Sequence, residues 1–415
     1  MNSLQLRYNF LHIFYFFSIC SVNGFTAVFL QNKGMSNTLV GLAMGIGSML
    51  SIAAAPVFSS VLENIKGITI KKLILIVYSV QFAVYLSMAF LNLPVWIILP
   101  VYMVMMSSVI AVTPLLSMIC MNYASKGYDI DFGTARGLGS LSYAIAAVLL
   151  GQISKIWTPD YLALAFLAAG LCMFLVLFSM PDSDIQVMNE KMDEKNPGSG
   201  KKDRSSILYV IKTYKVFFLF LLGFGMIYAG VSALGTYLVN IVTSLGGDTS
   251  LYGIALFCMA ASELPVMAAT GKLIKRFGSE RLIIAAAVFY LFRNFIICLA
   301  PSIPILLIGM MCQGASYGLF TAVITNYVRS HLPEKHGLAG QNLISIMSTG
   351  LGCSSGSILG GVLIDAFGFT GLKLFALALT VIGCSIMLAA AFHVLSKERA
   401  TKTRVRMVYA KAQRA

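Results

Sequence analysis

The chain reads as an all-α polytopic membrane protein, with twelve transmembrane helices divided six and six. Three observations predict this. Of its 415 residues, 58% are hydrophobic and only 11% charged, whereas soluble domains carry about 25% charge. The apolar residues fall in a dozen runs, each near the roughly twenty residues that cross hydrocarbon as a helix. The polar residues collect between the runs, and one long polar stretch halves the series.

In order, the first six runs fall at 8–31, 36–62, 70–91, 95–122, 132–157 and 160–180. The first is too long for a cleaved signal peptide and has no small-residue cleavage site, so it counts as a span. Residues 182–211 alternate in charge and contain Pro197, Gly198 and Gly200, which marks a flexible linker. Six more runs follow at 212–243, 249–274, 281–300, 303–330, 338–364 and 370–395. The expected organisation is a six-helix bundle over 1–181, the linker 182–211, a second bundle over 212–396 and a basic tail over 397–415.

The net charge of +14 maps onto alternate loops. Lys71 and Lys72 follow the second run, and Lys191, Lys195, Lys201, Lys202 and Arg204 lie in the linker. Lys272, Lys275, Arg276 and Arg281 follow the eighth, and Arg329 and Lys335 the tenth. The tail adds Lys397, Arg399, Lys402, Arg404, Arg406, Lys411 and Arg414, whereas the opposite loops hold only Lys33, Lys155 and Lys373. The positive-inside rule then places both termini in the cytoplasm, with anionic membrane lipid as a partner for the tail. The basic excess reflects topology, so no nucleic-acid partner is expected.

Cys20, Cys120, Cys172, Cys258, Cys298, Cys312, Cys353 and Cys384 all lie in apolar runs without paired spacing, so they read as small hydrophobes. His12, His331, His336 and His393 are scattered. No nucleophile–base pair, phosphate-cradling loop or metal cluster is legible, so no enzyme, metal or cofactor is expected.

Arg136, Glu263 and Arg293 interrupt the apolar runs. A charge in hydrocarbon costs several kcal/mol and normally faces a partner or a watery cavity. Glu263 lies about eight residues, roughly 12 Å, from the end of its run, near the midplane. Arg293 is similarly deep. The simplest reading is an ion pair holding their two helices together. The functional reading is a carboxylate that gains or loses its proton as its surroundings change. Pro265 lies two residues beyond Glu263, where it kinks a helix and frees carbonyls. Tyr143 stands two turns beyond Arg136 on nearly the same face, as a packing residue or as a flat floor for a ring-shaped ligand. Gly352, Gly356 and Gly360, with Gly41 and Gly45, mark faces where helices approach closely.

Gly271–Lys272–Leu273–Ile274–Lys275–Arg276–Phe277–Gly278–Ser279–Glu280–Arg281 resembles the major facilitator superfamily loop G-x-L-x-D-R-x-G-x-R-R, with Lys275 at the acidic position. The first-half copy keeps the acid as Glu63 but has Ser59 for the glycine. Phe132–Gly133–Thr134–Ala135–Arg136–Gly137–Leu138–Gly139 is similar to the F-G-x-A-R-x-x-G segment of the lactose permease (oligosaccharide:proton symporter) group. Ser262–Glu263–Leu264, Phe292–Arg293 and Gly361–Gly371 resemble further segments of that group. Gly133, Arg136, Gly139 and Ser140 equally fit the phenylpropionate-permease and nucleoside-symporter branch.

The resemblance implies the major facilitator fold, with a site between two bundles that rock past each other. It implies Arg136 and Glu263 as substrate ligands, Tyr143 as a stacking ring, and Glu263 with Arg293 in proton coupling. Arg136 paired with Asp131 or lipid phosphate is the bland alternative. Gln313 and Asn23 are candidate hydrogen-bonders, with Asn326 behind them. Glu63, Gly271, Arg276, Gly278 and Arg281 would govern the access state, where the lost acid weakens the second copy. The group's titratable residues on the tenth helix are replaced by Gly309–Ser316, and those on the seventh by Tyr228, Ser232, Thr236, Tyr237 and Asn240. Its fourth-helix acid is also missing: Met118 or a neighbour stands there, with Ser117, Asn122 and Tyr123 nearby.

The expectation is therefore a monomeric secondary transporter in a bacterial cytoplasmic membrane. It would move a small polar solute, a sugar or oligosaccharide first, by alternating access with proton symport. A nucleoside or aromatic-acid permease, a proton-driven efflux carrier and a non-transporting membrane sensor are the alternatives.

Overall fold

The computed structural model of the protein describes residues 3–65, 67–181 and 207–412. Most of the expected linker lies outside them, while 207–213 is helical. Among the described residues every regular element is helical. The first half comprises α1 (Ser3–Ile19), α2 (Thr26–Asn32), α3 (Asn37–Asn64), α4 (Ile70–Phe90), α5 (Val95–Ser125), α6 (Phe132–Ile156) and α7 (Leu162–Ser179). The second comprises α8 (Lys215–Thr236), α9 (Leu238–Ser244), α10 (Thr249–Phe277), α11 (Ser279–Leu299), α12 (Ile303–Met311), α13 (Leu319–His331), α14 (Glu334–Ser345) and α15 (Ser354–Ala412).

Ten of the described helices are long and apolar enough to cross a membrane, or eleven if the pair Ser3–Gly24 and Thr26–Asn32, bent by 49°, is one span. The tenth, Ala339–Val394, is twice the usual length. It is broken at Gly368, whose φ of 67° only glycine adopts readily, so α15 is two helices across a kink.

Short polar side chains start the helices by satisfying orphan backbone N–H groups. Ser36 accepts from Leu39 N at 3.4 Å, Thr69 from Lys72 N at 3.2 Å, and Asp248 from Leu251 N at 3.1 Å. Asp131 accepts from Gly133 N at 2.8 Å and Thr134 N at 3.2 Å. With the Thr134 hydroxyl added, these bonds hold the Asp131 carboxyl below the usual carboxylate range.

The two halves meet along α3 against α15 and α6 against α10. One core cluster joins the first half to Leu234, Tyr237, Tyr252, Leu256 and Leu306 of the second. The other, with Phe224, Tyr290 and Phe320, lies wholly in the second half. One end of the molecule is thus knitted across the halves. At the other, α3, α5, residue 207 and the α14 end diverge around an apolar cleft of about 630 Å³, lined by Ile52, Pro56, Pro114, Ile207 and Ile346.

Candidate functional site

Among the described residues three π-turns interrupt the helices: Cys20–Gly24, Gly314–Gly318 and Ile346–Cys353. A π-turn widens the helix and releases carbonyls from the regular ladder. Around the first, tyrosines from three other helices take up that capacity. Tyr85 donates to Ser21 O at 3.2 Å, Tyr102 to Val22 O at 2.7 Å, and Tyr252 to Gly24 O. Tyr252 belongs to the opposite half, so this bond also fixes the halves relative to each other.

All three π-turns border one central cavity of about 380 Å³. Asn23 and Gly24 come from the first, Tyr317 from the second, Thr349 and Cys353 from the third. Between them the wall takes Ser48, Tyr143, Tyr228, Ser232, Thr236, Tyr252, Glu263, Arg293 and Gln313, together with the apolar Ile19, Met44, Ile110, Val231, Leu238, Leu256 and Met259. Both halves contribute, and four tyrosines stand in the wall.

Glu263 is positioned by the close approach of α10 to the second π-turn. A Cβ on Gly314 would lie 2.0 Å from Ser262 O, so only glycine fits there. Gly314 N also donates to Ser262 Oγ at 3.0 Å. The Gln313 amide is left in hydrogen-bonding reach of the Glu263 carboxylate, while its Oε1 has no partner.

Arg293 is 1% exposed. Its Nη1 donates to Asn294 Oδ1 at 2.6 Å, and Asn294 Nδ2 donates to Thr380 Oγ1 at 2.7 Å, which fixes one edge of the guanidinium. Its Nε has no partner. No ion pair joins it to Glu263 among the described residues; the described ion pairs are Lys33–Asp160, Lys155–Asp248 and His331–Glu280. The simple helix-holding pair read from the sequence is therefore not formed here.

Arg136 stands outside the cavity wall. Its guanidinium lies 4.3 Å from the Phe16 ring centroid and donates to Ser140 Oγ at 2.5 Å. It is within electrostatic reach of Glu263 and Tyr317. Asp131 is occupied in capping α6 and forms no ion pair with it. His12, buried with both ring nitrogens unpartnered, stacks against the same Phe16 at 6.1 Å.

Of the residues singled out in sequence, Asn23, Tyr143, Glu263, Arg293 and Gln313 meet at the cavity. Asn326 is absent from its wall. Tyr252 and Tyr317 were missed: a tyrosine in an apolar run carries no distinguishing signal, although Tyr317 sits in a run of small residues that suits a π-turn. The loop residues lie elsewhere. Glu63, Gly271, Arg276 and Arg281 are exposed, and Gly278 ends α10 with a φ of 80°. Where Lys275 replaces the acid, Glu280 is the buried carboxylate, 3.8 Å from His331 Nε2.

Comparison with known proteins agrees across the chain. The profile of the MFS_1 like family matches residues 5–395. The maltose permease of Geobacillus stearothermophilus is 24% identical over 375 residues, spanning 90% of this chain and 91% of the permease. The uncharacterized transporter YwbF of Bacillus subtilis (strain 168) is 24% identical over 372 residues, spanning 88% and 89%. Among solved structures, the nucleoside transporter NupG superposes with a TM-score of 0.77 at 15% identity, over 94% of this chain and 98% of NupG. A bacterial homologue of the human lysosomal transporter Spinster, inward-facing and occupied, gives 0.63 at 15% identity, over 93% and 96%.

Proposed function

Because the chain belongs to the MFS_1 like family, we propose that this transporter carries a sugar or oligosaccharide across the cytoplasmic membrane by alternating access. Proton symport through Glu263 is part of the proposal. The observation that carries it is the central cavity, shared by both halves, in whose largely apolar wall stand four tyrosines, several polar side chains and the acid Glu263. Tyrosine faces suit the apolar face of a sugar ring, and Asn23, Gln313 and Glu263 suit its hydroxyls. Arg136, whose five donors form a rigid fork, sits on the approach. The resemblance to the maltose permease supports the solute class.

Counting the kink at Gly368 as a turn between two spans, and the bent first pair as one, brings the spans to twelve in two six-helix bundles. The open end carries Lys71, Lys72, Lys272, Lys275, Arg276, Arg281 and Arg329, against Lys33, Lys155 and Lys373 at the closed end. The positive-inside rule makes the open end cytoplasmic, together with both termini, and the state inward-open. Glu63, Gly271, Arg276 and Arg281, near helix ends, and Gly278, between two helices, would govern closure of that end. One chain encloses the cavity, consistent with a monomer.

The test is uptake into proteoliposomes under an imposed proton gradient, comparing the protein with Glu263→Gln. The amide keeps the shape and cannot release a proton. Wild type should accumulate sugar above the external concentration, whereas the variant should only equilibrate it. Uphill accumulation by Glu263→Gln would remove the acid from coupling. A second reading, nucleoside transport, draws on the four cavity tyrosines and the NupG-like fold; uptake of uridine without any sugar would favour it.

A further inference from the structure

Glu263 and Gln313 belong to the same half of the molecule, and their backbones are locked together. Gly314, next to Gln313, packs so tightly on Ser262, next to Glu263, that an added Cβ would lie 2.0 Å from Ser262 O. Its N–H donates to Ser262 Oγ at 3.0 Å. Further along the same π-turn, a Cβ on Gly318 would lie 3.6 Å from the Cα, Cβ and Cγ of Glu263. Rocking of one half past the other therefore leaves this pair together. The charged and titratable groups in electrostatic reach of Glu263 divide differently. Arg293 and Tyr290 of α11, Tyr317 of the second π-turn and Tyr228 of α8 share its half. Arg136 and Tyr143 of α6 come from the opposite one.

The Gln313 amide lies in hydrogen-bonding reach of the Glu263 carboxyl. Its side chain is buried, and its Oε1 is sealed from the cavity with no donor among the described residues. A primary amide carries two N–H donors and one acceptor oxygen. An ionised carboxylate only accepts, so it takes Nε2 and leaves Oε1 unpaired. A protonated carboxyl also donates, and its O–H matches Oε1. A buried acceptor left unpaired is costly, and neither water nor solute reaches this one. Arg293 Nε and the Tyr290 hydroxyl are sealed and unpartnered too, and make no bond to it.

Resting on the proton-coupled reading above, we propose that Gln313 is the positioning residue for the transported proton. It donates through Nε2 to ionised Glu263 and accepts through Oε1 from protonated Glu263. Protonation forms one O–H bond on the carboxylate, with the proton drawn from the cavity that Glu263 lines. The amide neither gains nor loses a proton, and its second Nε2 hydrogen is left for the solute. Glu263 thus changes charge in place without changing partner. What rocking alters is its distance to Arg136, on the opposite half.

The experiment is infrared difference spectroscopy of the purified full chain in nanodiscs across a pH titration, with transport measured in proteoliposomes. Wild type should show a protonated-carboxyl carbonyl band that Glu263→Gln lacks. Gln313→Met, close in shape but with neither amide atom, should move that band to higher frequency as its hydrogen bonds are lost. It should also slow net proton-driven uptake of maltose about tenfold or more relative to maltose exchange, the ratio expected of one hydrogen bond. Exchange runs without releasing the proton, so a merely structural defect would lower both alike. If Gln313→Met does not fold, the same displacement is read in Gln313→Asn, whose amide stops one methylene short. The proposal is overturned if the Glu263 band keeps its frequency in the folded variant, or if uptake and exchange fall together. The infrared result does not depend on the solute. Absence of a Glu263 band at every pH would overturn the coupling reading and this proposal with it, whereas an unmoved band overturns the proposal alone.

Discussion

The closed and open ends of the bundle are built on opposite principles. At the closed end the halves touch backbone to backbone. A Cβ on Gly41 would lie 2.3 Å from Ser357 O, and one on Gly253 2.3 Å from Ala147 O. Over these contacts lies a set of small polar bonds. Asp365 accepts from Thr38 N and Asn37 Nδ2 at 2.8 Å and from Thr38 Oγ1 at 2.6 Å. Gln31 Nε2 donates to Asn240 Oδ1 at 3.0 Å, and Tyr237 donates to Asn37 O at 2.8 Å. Gln152 Nε2 donates to Ser250 Oγ at 2.6 Å. At the open end, Ile52, Pro56, Pro114 and Ile346 face an apolar cleft with little polar surface. The apolar cluster with Leu234, Tyr237, Tyr252, Leu256 and Leu306 also crosses the halves, so opening this end breaks glycine contacts, polar bonds and apolar packing together. Rocking between two states requires each end to be stable enough to hold and weak enough to release.

The largest expected effect comes from the backbone contacts. Gly253→Leu places a side chain against Ala147 O, and backbone cannot move aside as a flexible side chain does. Overpacking of this kind costs about 1–3 kcal/mol, enough to shift the closed population by roughly fivefold to over a hundredfold. Labelling of a cysteine introduced at Thr243 by an impermeant maleimide should rise accordingly, and uptake should fall. Gly137→Leu, where an added Cβ meets nothing within 4 Å, is the control and should leave both unchanged. If the two variants behave alike, helix packing does not set the closed end.

A smaller effect is expected at Asp365. This carboxylate caps α3 from the opposite half, satisfying an orphan N–H near a helix N-terminus where negative charge is also favoured. Asp365→Ala should cost about 1 kcal/mol, as loss of an N-cap does, and shift the population roughly fivefold toward opening. Distances between spin labels across the closed end would show a second, longer population. An unchanged distribution would mean that Ser36 alone is sufficient for α3.

The long apolar runs, the polar stretch expected at 182–211 and the charged interruptions are legible in sequence because each is a local matter of hydropathy and loop charge. Glu263, Gln313, Asn23 and Tyr143 were found for a related reason: polar groups and rings in apolar surroundings stand out. The partners of those groups were not legible. Arg136 is held by Phe16, Ser140 lies one turn beyond it, and Asp131 turns back onto its own helix start. Arg293 leans on its chain neighbour Asn294 and a threonine 87 residues away, not on Glu263. Side-chain direction at neighbouring positions decides these pairings, and helical spacing alone does not specify it. The π-turns escaped as well, because their residues read as ordinary helix until the opposite half supplies Tyr252. The sequence did mark the Gly352–Gly356–Gly360 face. Gly356 takes it furthest: its Cβ would lie 2.0 Å from Ala229 O, inside the second half and not across the halves.

The smallest effect is expected where a charge pair crosses the closed end. Lys155 Nζ lies 2.8 Å from Asp248 Oδ2, but both side chains are about half exposed, at 52% and 41%. Exposed pairs contribute under about 1 kcal/mol and weaken with salt. The Lys155 ammonium, with the Leu251 N–H, holds the Asp248 carboxyl below its ordinary range. A carboxyl depressed by folding contributes stability that is fully present above its unfolded value, near 3.9, and is lost as pH falls through the folded value. Closed-end labelling should therefore be flat from pH 8 to 5 on this pair's account and rise only at about pH 4 and below. Asp248→Asn should remove that acid-dependent rise, with little change at neutral pH. The doubly exchanged Lys155→Asp, Asp248→Lys protein should restore the salt sensitivity that either single change abolishes. A large neutral-pH effect of Asp248→Asn would show instead that charge, rather than close glycine packing, carries the seal, and the contrast between the two ends would have to be redrawn.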